Sequence, residues 1–137
     1  MSVNGMHHTA ISTPNIERLM NFYKENFNCK DIDSRSQWEK GTNEIDQVLG
    51  LKGSSAKQGF LSCGNVMIEF FEYSSPKPQP MQENRPVNNH GHTHICFDVT
   101  NINKVYNELV SKGVNFHCPP KDFGSVRATY GLSLIHI

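Results

Sequence analysis

Two stretches, GMHHTAISTPNIERLMNFYKENF at residues 5–27 and GHTHICFDVTNINKVYNELVSKG at residues 91–113, fall into register when the chain is slid by 86 residues, and that match decides the fold. Five positions are identical: Gly5/Gly91, His8/His94, Asn15/Asn101, Ile16/Ile102 and Asn21/Asn107. Between them the apolar pattern is kept at Ala10/Cys96, Ile11/Phe97, Leu19/Val105, Met20/Tyr106 and Tyr23/Leu109. Each copy reads as a strand running into a helix. His8 to Thr13 is short and partly β-branched, Asn15 offers an N-cap oxygen, and Ile16, Leu19, Met20, Tyr23 and Phe27 follow at helical spacing. In the second copy Asn101 caps, Ile102, Val105, Tyr106, Leu109 and Val110 form the stripe, and Gly113 stops the helix.

Outward from these copies, three further strands are expected in the first half, Cys29 to Ser36, Gln58 to Cys63 and Asn65 to Tyr73, the last two joined by the turn pair Gly64-Asn65. The polar insert at 38–57, with Trp38, Asp46, Val48, Leu49 and Leu51, predicts a short helix or a loop over one face, placed as a substrate lid. Residues 74–90 hold four of the seven prolines and read as an extended linker. The second half is expected to repeat the pattern with strands at Thr93 to Val99, Val114 to His117 and Val126 to Tyr130.

Composition narrows the function classes. Thirteen basic against thirteen acidic residues give zero formal charge, which leaves little phosphate-binding field and argues against a nucleic-acid partner. The apolar runs are strand-sized, far short of the roughly 20 residues a bilayer needs. With no signal-peptide core at the N-terminus, a cytoplasmic location and no membrane partner are expected. The four cysteines, Cys29, Cys63, Cys96 and Cys118, form no CxxC pair and read as small buried hydrophobes.

Seven histidines in 137 residues are the chemistry-bearing feature. Strand alternation puts His8, Ala10 and Ser12 on one face and His7, Thr9 and Ile11 on the other. Duplication singles out His8, because His94 takes the pseudo-symmetric place, and two such imidazoles can converge on one point. Glu69 is a charge inside the apolar run Val66-Met67-Ile68-Glu69-Phe70-Phe71. A carboxylate buried there alone costs several kcal/mol, so it needs a partner, and a divalent metal held by His8, Glu69 and His94 satisfies all three groups. His7 and His92 are outer-shell or surface residues, while His90, His117 and His136 are expected to be exposed. Glu72, on the face opposite Glu69, reads as solvated.

These residues carry a family resemblance. HTAISTPNIERLMNFYKENFNCK at 8–30 resembles the first module of the vicinal oxygen chelate superfamily, VMIEFFEY at 66–73 its fourth strand, and HTHICFDVTNINKVYNELVSKGV at 92–114 the start of its second module. The superfamily includes glyoxalase I, methylmalonyl-CoA epimerase, extradiol dioxygenases, and fosfomycin and bleomycin resistance proteins. The resemblance spans about Met6 to Tyr130. It implies an α+β fold of two βαβββ modules, at about 4–73 and 90–131 with the linker at 74–89, whose curled mixed sheet surrounds a metal. The ligands come from the first and fourth strands of each module, so His8, Glu69 and His94 become three of four.

Family members end the second module with a DPDG-type turn and a strand bearing the fourth ligand, a glutamate. Here the tail is LSLIHI at 132–137, which matches one translated frame of a sequencing-library transposon end. It is therefore read as non-native, with the last strand missing or replaced and the natural chain expected to continue past Tyr130 or Gly131. Because extradiol dioxygenases leave the fourth-strand position of the first module empty, Glu69 points to a glyoxalase- or epimerase-like lyase or isomerase. Such an enzyme binds Zn, Ni, Co, Mn or Fe, and Glu69 moves the proton of a small carbonyl substrate. An iron(II) dioxygenase and a non-catalytic resistance-type binding protein are the alternatives, and the linker permits a homodimer.

Overall fold

The computed structural model describes residues 4–40, 43–83 and 85–134. The chain divides into two compact units, Met1–Pro80 and Met81–Ile137. In the first, β1 (His8–Ser12) leads into α1 (Ile16–Phe27), followed by β2 (Lys30–Asp31), β3 (Ser36–Trp38), α2 (Asn43–Leu49), β4 (Ser55–Cys63) and β5 (Val66–Ser75). The sheet order is β1-β5-β4-β2, with β3 also on β4, and it is mixed: β1 runs parallel to β5 and every other pair is antiparallel. This is an α+β fold with a curled, unclosed mixed sheet.

Local chemistry sets these boundaries. Asn15 accepts from the Arg18 amide at 2.9 Å and opens α1, and Asn28, in the left-handed region at φ 53°, closes it. The expected strand from Cys29 to Ser36 is broken into two short pieces, because Asp33 adopts φ 53° and its amide donates to Asp31 Oδ1 at 3.2 Å, a local turn that competes with the ladder. The insert folds around Asp46, whose carboxylate accepts from the Gly53 and Ser54 amides at 2.7 and 2.9 Å. Hydrogen bonding led by the Ser54 side chain holds that carboxyl below its usual range.

One sheet face packs on α1. Ile16, Leu19, Met20, Tyr23, Leu61, Ile68 and Phe70 are buried, and the rings of Tyr23 and Phe70 lie 5.7 Å apart. Gly59 permits this approach, since a Cβ there would meet Met20 Sδ at 3.1 Å and Arg35 Cδ at 2.8 Å. Glu72 also belongs to this face, and it is not solvated as expected. Its Oε2 accepts from the Ile16 amide at 2.8 Å, filling one of the orphan N–H positions at the start of α1, and its Oε1 receives Lys57 Nζ at 3.1 Å. The Ile16 amide is the main reason its carboxyl lies below the ordinary 4.5. A depressed folded-state value means stability that is present above the unfolded value and lost as pH falls through the folded one. Glu72→Gln is accordingly expected to cost about 1 kcal/mol at neutral pH and to flatten the acid limb of a urea-unfolding series below about pH 4.5. An unchanged acid limb would remove the cap role.

The cysteines also depart from expectation. Cys29 and Cys63 form a disulfide, while Cys96 is exposed and Cys118 half-buried, so only Cys29 has the burial foreseen for all four.

The second unit holds α3 (Ile102–Ser111) and a two-strand ribbon of β6 (Lys121–Asp122) and β7 (Arg127–Ala128). Asn101 caps α3 through Lys104 as Asn15 caps α1, and the repeat-matched Gly5 and Gly91 share positive φ, at 147° and 122°. The duplication therefore reaches the backbone. The expected strand at Thr93 to Val99 forms no ladder among the described residues. In the first unit the equivalent β1 is held by β5, and the described residues of the second unit contain no counterpart of β5 to do the same. The expected strand at Val114 to His117 contracts to a bridge at Phe116–Gly131, extended by the Leu132 amide donating to Asn115 O at 2.8 Å. That at Val126 to Tyr130 contracts to β7. The linker is more ordered than foreseen at its end: the Arg85 guanidinium donates to the carbonyls of Asn89, His90 and His92 and gathers that loop.

Candidate functional site

The sheet face turned away from α1 carries polar and aromatic side chains. Parallel pairing sets Ala10 beside Glu69, and antiparallel pairing sets Phe60 beside Glu69 and Gln58 beside Phe71. Because strand neighbours in register point the same way, His8, Gln58, Phe60, Glu69 and Phe71 share this face. The alternation expected for His8, Ala10 and Ser12 is present, with these three exposed and Thr9 and Ile11 half-buried.

Glu69 is the centre. It is 7% exposed, and its need for partners is met on both oxygens. His8 Nε2 lies 3.1 Å from Oε2, and Gln58 Nε2 donates to Oε1. The other nitrogen of His8 is also engaged, with its Nδ1 2.8 Å from Nδ1 of His7, and the edge of His8 meets the Phe60 ring at 5.4 Å between centroids. The tautomers are linked. When His8 donates from Nε2 to Glu69, its Nδ1 accepts from His7, and when Nε2 is bare, Nδ1–H donates to His7. Beyond Glu69 on the same strand, Phe71 and Tyr73 stack at 5.4 Å and Trp38 sets its edge against both. Burial, followed by the Glu69 charge, pushes the Tyr73 phenol up.

The apolar lid foreseen around Trp38, Val48 and Leu51 is only partly formed. Trp38 is buried, with Nε1 donating to Ser54 Oγ at 2.9 Å, and is a fixed wall. Val48 points into solvent at 84% exposure. Leu51 lines an open groove of about 320 Å³ with Leu49, Tyr73, Pro76, Lys77 and Pro78.

His94 stands in the second unit, exposed, with Nδ1 2.8 Å from Thr93 Oγ1 and its ring 5.2 Å from that of Tyr130. His90, His92 and His117 are exposed, and His136 lies outside the described residues. Gln58 escaped sequence reading, whereas His7, expected as an outer-shell or surface residue, lies against His8. Gln58 sits two places from Phe60 on β4, and only the register with β5 reveals that it faces Glu69.

Within neither unit do three His, Cys, Asp or Glu side chains of the described residues gather as a metal-holding group. The donor chemistry of the pair that does form fits a divalent ion. An imidazole nitrogen on β1 and a carboxylate oxygen on β5, 3.1 Å apart, are borderline-to-hard ligands of the kind first-row metals take.

The sequence profile described as "Glyoxalase/Bleomycin resistance protein/Dioxygenase superfamily" matches residues 5–130. Lactoylglutathione lyase of Schizosaccharomyces pombe is 30% identical over 130 residues, covering 85% of this chain and 39% of that protein, so this chain spans about two-fifths of the relative's length. Among solved structures, a glyoxalase family protein from Bacillus cereus superposes with a TM-score of 0.81 at 17% identity, over 96% of this chain and 87% of that one. A fosfomycin resistance protein from Listeria monocytogenes, solved with Mn(II) and 1S,2S-dihydroxypropylphosphonic acid, gives 0.63 at 14% identity, over 98% and 88%. At these identities the two structures speak for the fold.

Proposed function

The chain belongs to the glyoxalase/bleomycin resistance/dioxygenase superfamily, and on that premise we propose that it serves a metal-dependent lyase or isomerase reaction in which a small carbonyl substrate exchanges a proton through its enolate. The observation that carries this reading is the Glu69–His8 pair on a half-open sheet face. A buried carboxylate beside an imidazole, at the strand position that extradiol dioxygenases leave empty, favours proton transfer over oxygen chemistry.

His8 Nε2 and Glu69 Oε2 are the ligands assigned from the first unit, and the sequence duplication, rather than any contact, assigns His94 as the third. A divalent ion held by these residues would supply Lewis-acid chemistry at the substrate carbonyl. The rest is done by side chains. Glu69 Oε2 takes the proton from the carbon next to the carbonyl and returns it to the neighbouring atom, which requires hydrogen-bond reach and an acceptor lone pair. His7 holds the second nitrogen of His8, fixing the ring plane and the tautomer that leaves Nε2 bare. The rings of Phe60, Phe71 and Tyr73 give the substrate an apolar wall and keep water off the carbon acid.

Elemental analysis together with an assay on the hemithioacetal of methylglyoxal and glutathione tests this. About one divalent ion per chain is expected, falling to a small fraction in His8→Ala and His94→Ala, with chelation removing turnover. Full metal content in both variants would exclude the ligand assignment, and iron-dependent oxygen uptake with a catechol would move the protein to the dioxygenase class.

A further inference from the structure

The two oxygens of the Glu69 carboxylate are not equally free. Gln58 Nε2 donates to Oε1, and the far end of the same amide, Gln58 Oε1, accepts from Ser36 Oγ at 2.5 Å. The direction of this chain is forced by chemistry rather than by how the amide is drawn. A carboxylate only accepts, so the group facing it must be the NH2, the atom facing Ser36 must then be the carbonyl oxygen, and Ser36 must donate. Ser36 and Gln58 are paired across β3 and β4, and Gln58 stands diagonally across β4 and β5 from Glu69, so backbone ladders hold all three stations.

The geometry points to Gln58 as a positioning residue that occupies Glu69 Oε1 and reserves Oε2 as the single working oxygen, with Ser36 locking the amide that does so. This rests on the proton-transfer reading above and adds to it which atom acts and what selects it. Two consequences follow from the lone pairs. A cation held by His8 and Glu69 would find Oε2 the less engaged oxygen, since Oε1 already gives a lone pair to the Gln58 N–H. For the same reason Oε2, the oxygen facing His8, is the more available acceptor for a substrate proton. The lock also holds the carboxylate plane against rotation, so that Oε2 stays within 3.1 Å of His8 Nε2.

The experiment has two arms. In the uniformly 15N-labelled full chain without added metal, one Gln58 side-chain amide proton is expected downfield and slow to exchange. It should return to the averaged position of a solvated glutamine in Glu69→Ala, and broaden in Ser36→Ala as the amide gains freedom to flip. In the second arm Co2+ alone is titrated against a chromophoric chelator. Gln58→Ala is expected to weaken binding by about 10- to 100-fold and to change the visible d–d envelope as the freed Oε1 joins the coordination. Ser36→Ala should give a smaller loss of the same kind, and thermal unfolding should stay near wild type in both. Gln58 amide resonances that are averaged in the wild type and indifferent to Glu69→Ala would overturn the lock. So would wild-type Co2+ affinity and spectrum in Gln58→Ala. A wild type that binds no Co2+ would count against the metal reading of the preceding section, and the amide resonances, which need no metal, would still decide the lock.

Discussion

Glu69→Gln is expected to lower kcat/KM for proton exchange on a carbonyl substrate by about 10²- to 10⁴-fold, equivalent to roughly 3–5 kcal/mol of transition-state stabilisation. The substitution is chosen because it leaves the site standing. The new side chain has the same shape, keeps a carbonyl oxygen for the Gln58 donor and turns its NH2 toward His8 Nε2. His8 can accept there by donating from Nδ1 to His7, so both hydrogen bonds survive with one tautomer exchanged. What is lost is the Oε2 lone pair, both as the acceptor of the proton and as the donor assigned to the metal with His8. The midpoint of thermal unfolding should therefore move little, within the couple of degrees that correspond to well under 1 kcal/mol. Activity within threefold of wild type, with the protein folded, would show that Glu69 is neither the base nor a required ligand and leave it a structural acid. Collapse of both activity and stability would show that its charge is needed for folding first.

The helix starts and the first strand were legible in the sequence because their signals are local. Asn15 and Asn101 announce their helices through side chains that reach only three residues ahead, and the sheet face of His8 follows from strand alternation. The requirement that Glu69 find a partner was also legible, since an ionised group in an apolar strand carries its cost wherever the strand goes. Its actual second partner was not. Gln58 is eleven residues away, and its side is fixed by the register of β4 on β5, which the turn at Gly64 sets and no composition rule gives. Glu72 was misread for the same reason. From the sequence it is one more surface acid, and only the arrival of the α1 N-terminus makes it a cap from 56 residues away. In the second unit the misreadings concern strands, the burial of Cys96 and Cys118, and the loop that Arg85 gathers. Asn101 and Gly113 act as foreseen, but Thr93 to Val99 has strand composition without a strand beside it, and a ladder is a property of two segments.

Reduction of the Cys29–Cys63 disulfide is expected to destabilise the first unit by about 3–4 kcal/mol. The figure follows from the 34 residues that the bond closes, through the loop entropy it removes from the unfolded chain. The bond sits where the sheet is weakest. β2 is a two-residue ladder, Lys30 on Ser62 and Asp31 on Leu61, and Cys29 and Cys63 extend that register by one step with Cα atoms 4.5 Å apart. Cys29 follows the left-handed Asn28, so the bond also pins the C-terminus of α1 to the end of β4. Urea unfolding with and without a phosphine reductant measures the difference, and Cys29→Ser should match the reduced protein. Cys96→Ser/Cys118→Ser should unfold like the oxidised wild type, because those two thiols bond to nothing that closes a loop. Thiol counting in denaturant without reductant decides whether the bond forms at all. Two reactive thiols are expected, and four would return Cys29 and Cys63 to the role of separate apolar side chains, with the short β2 ladder held only by its backbone.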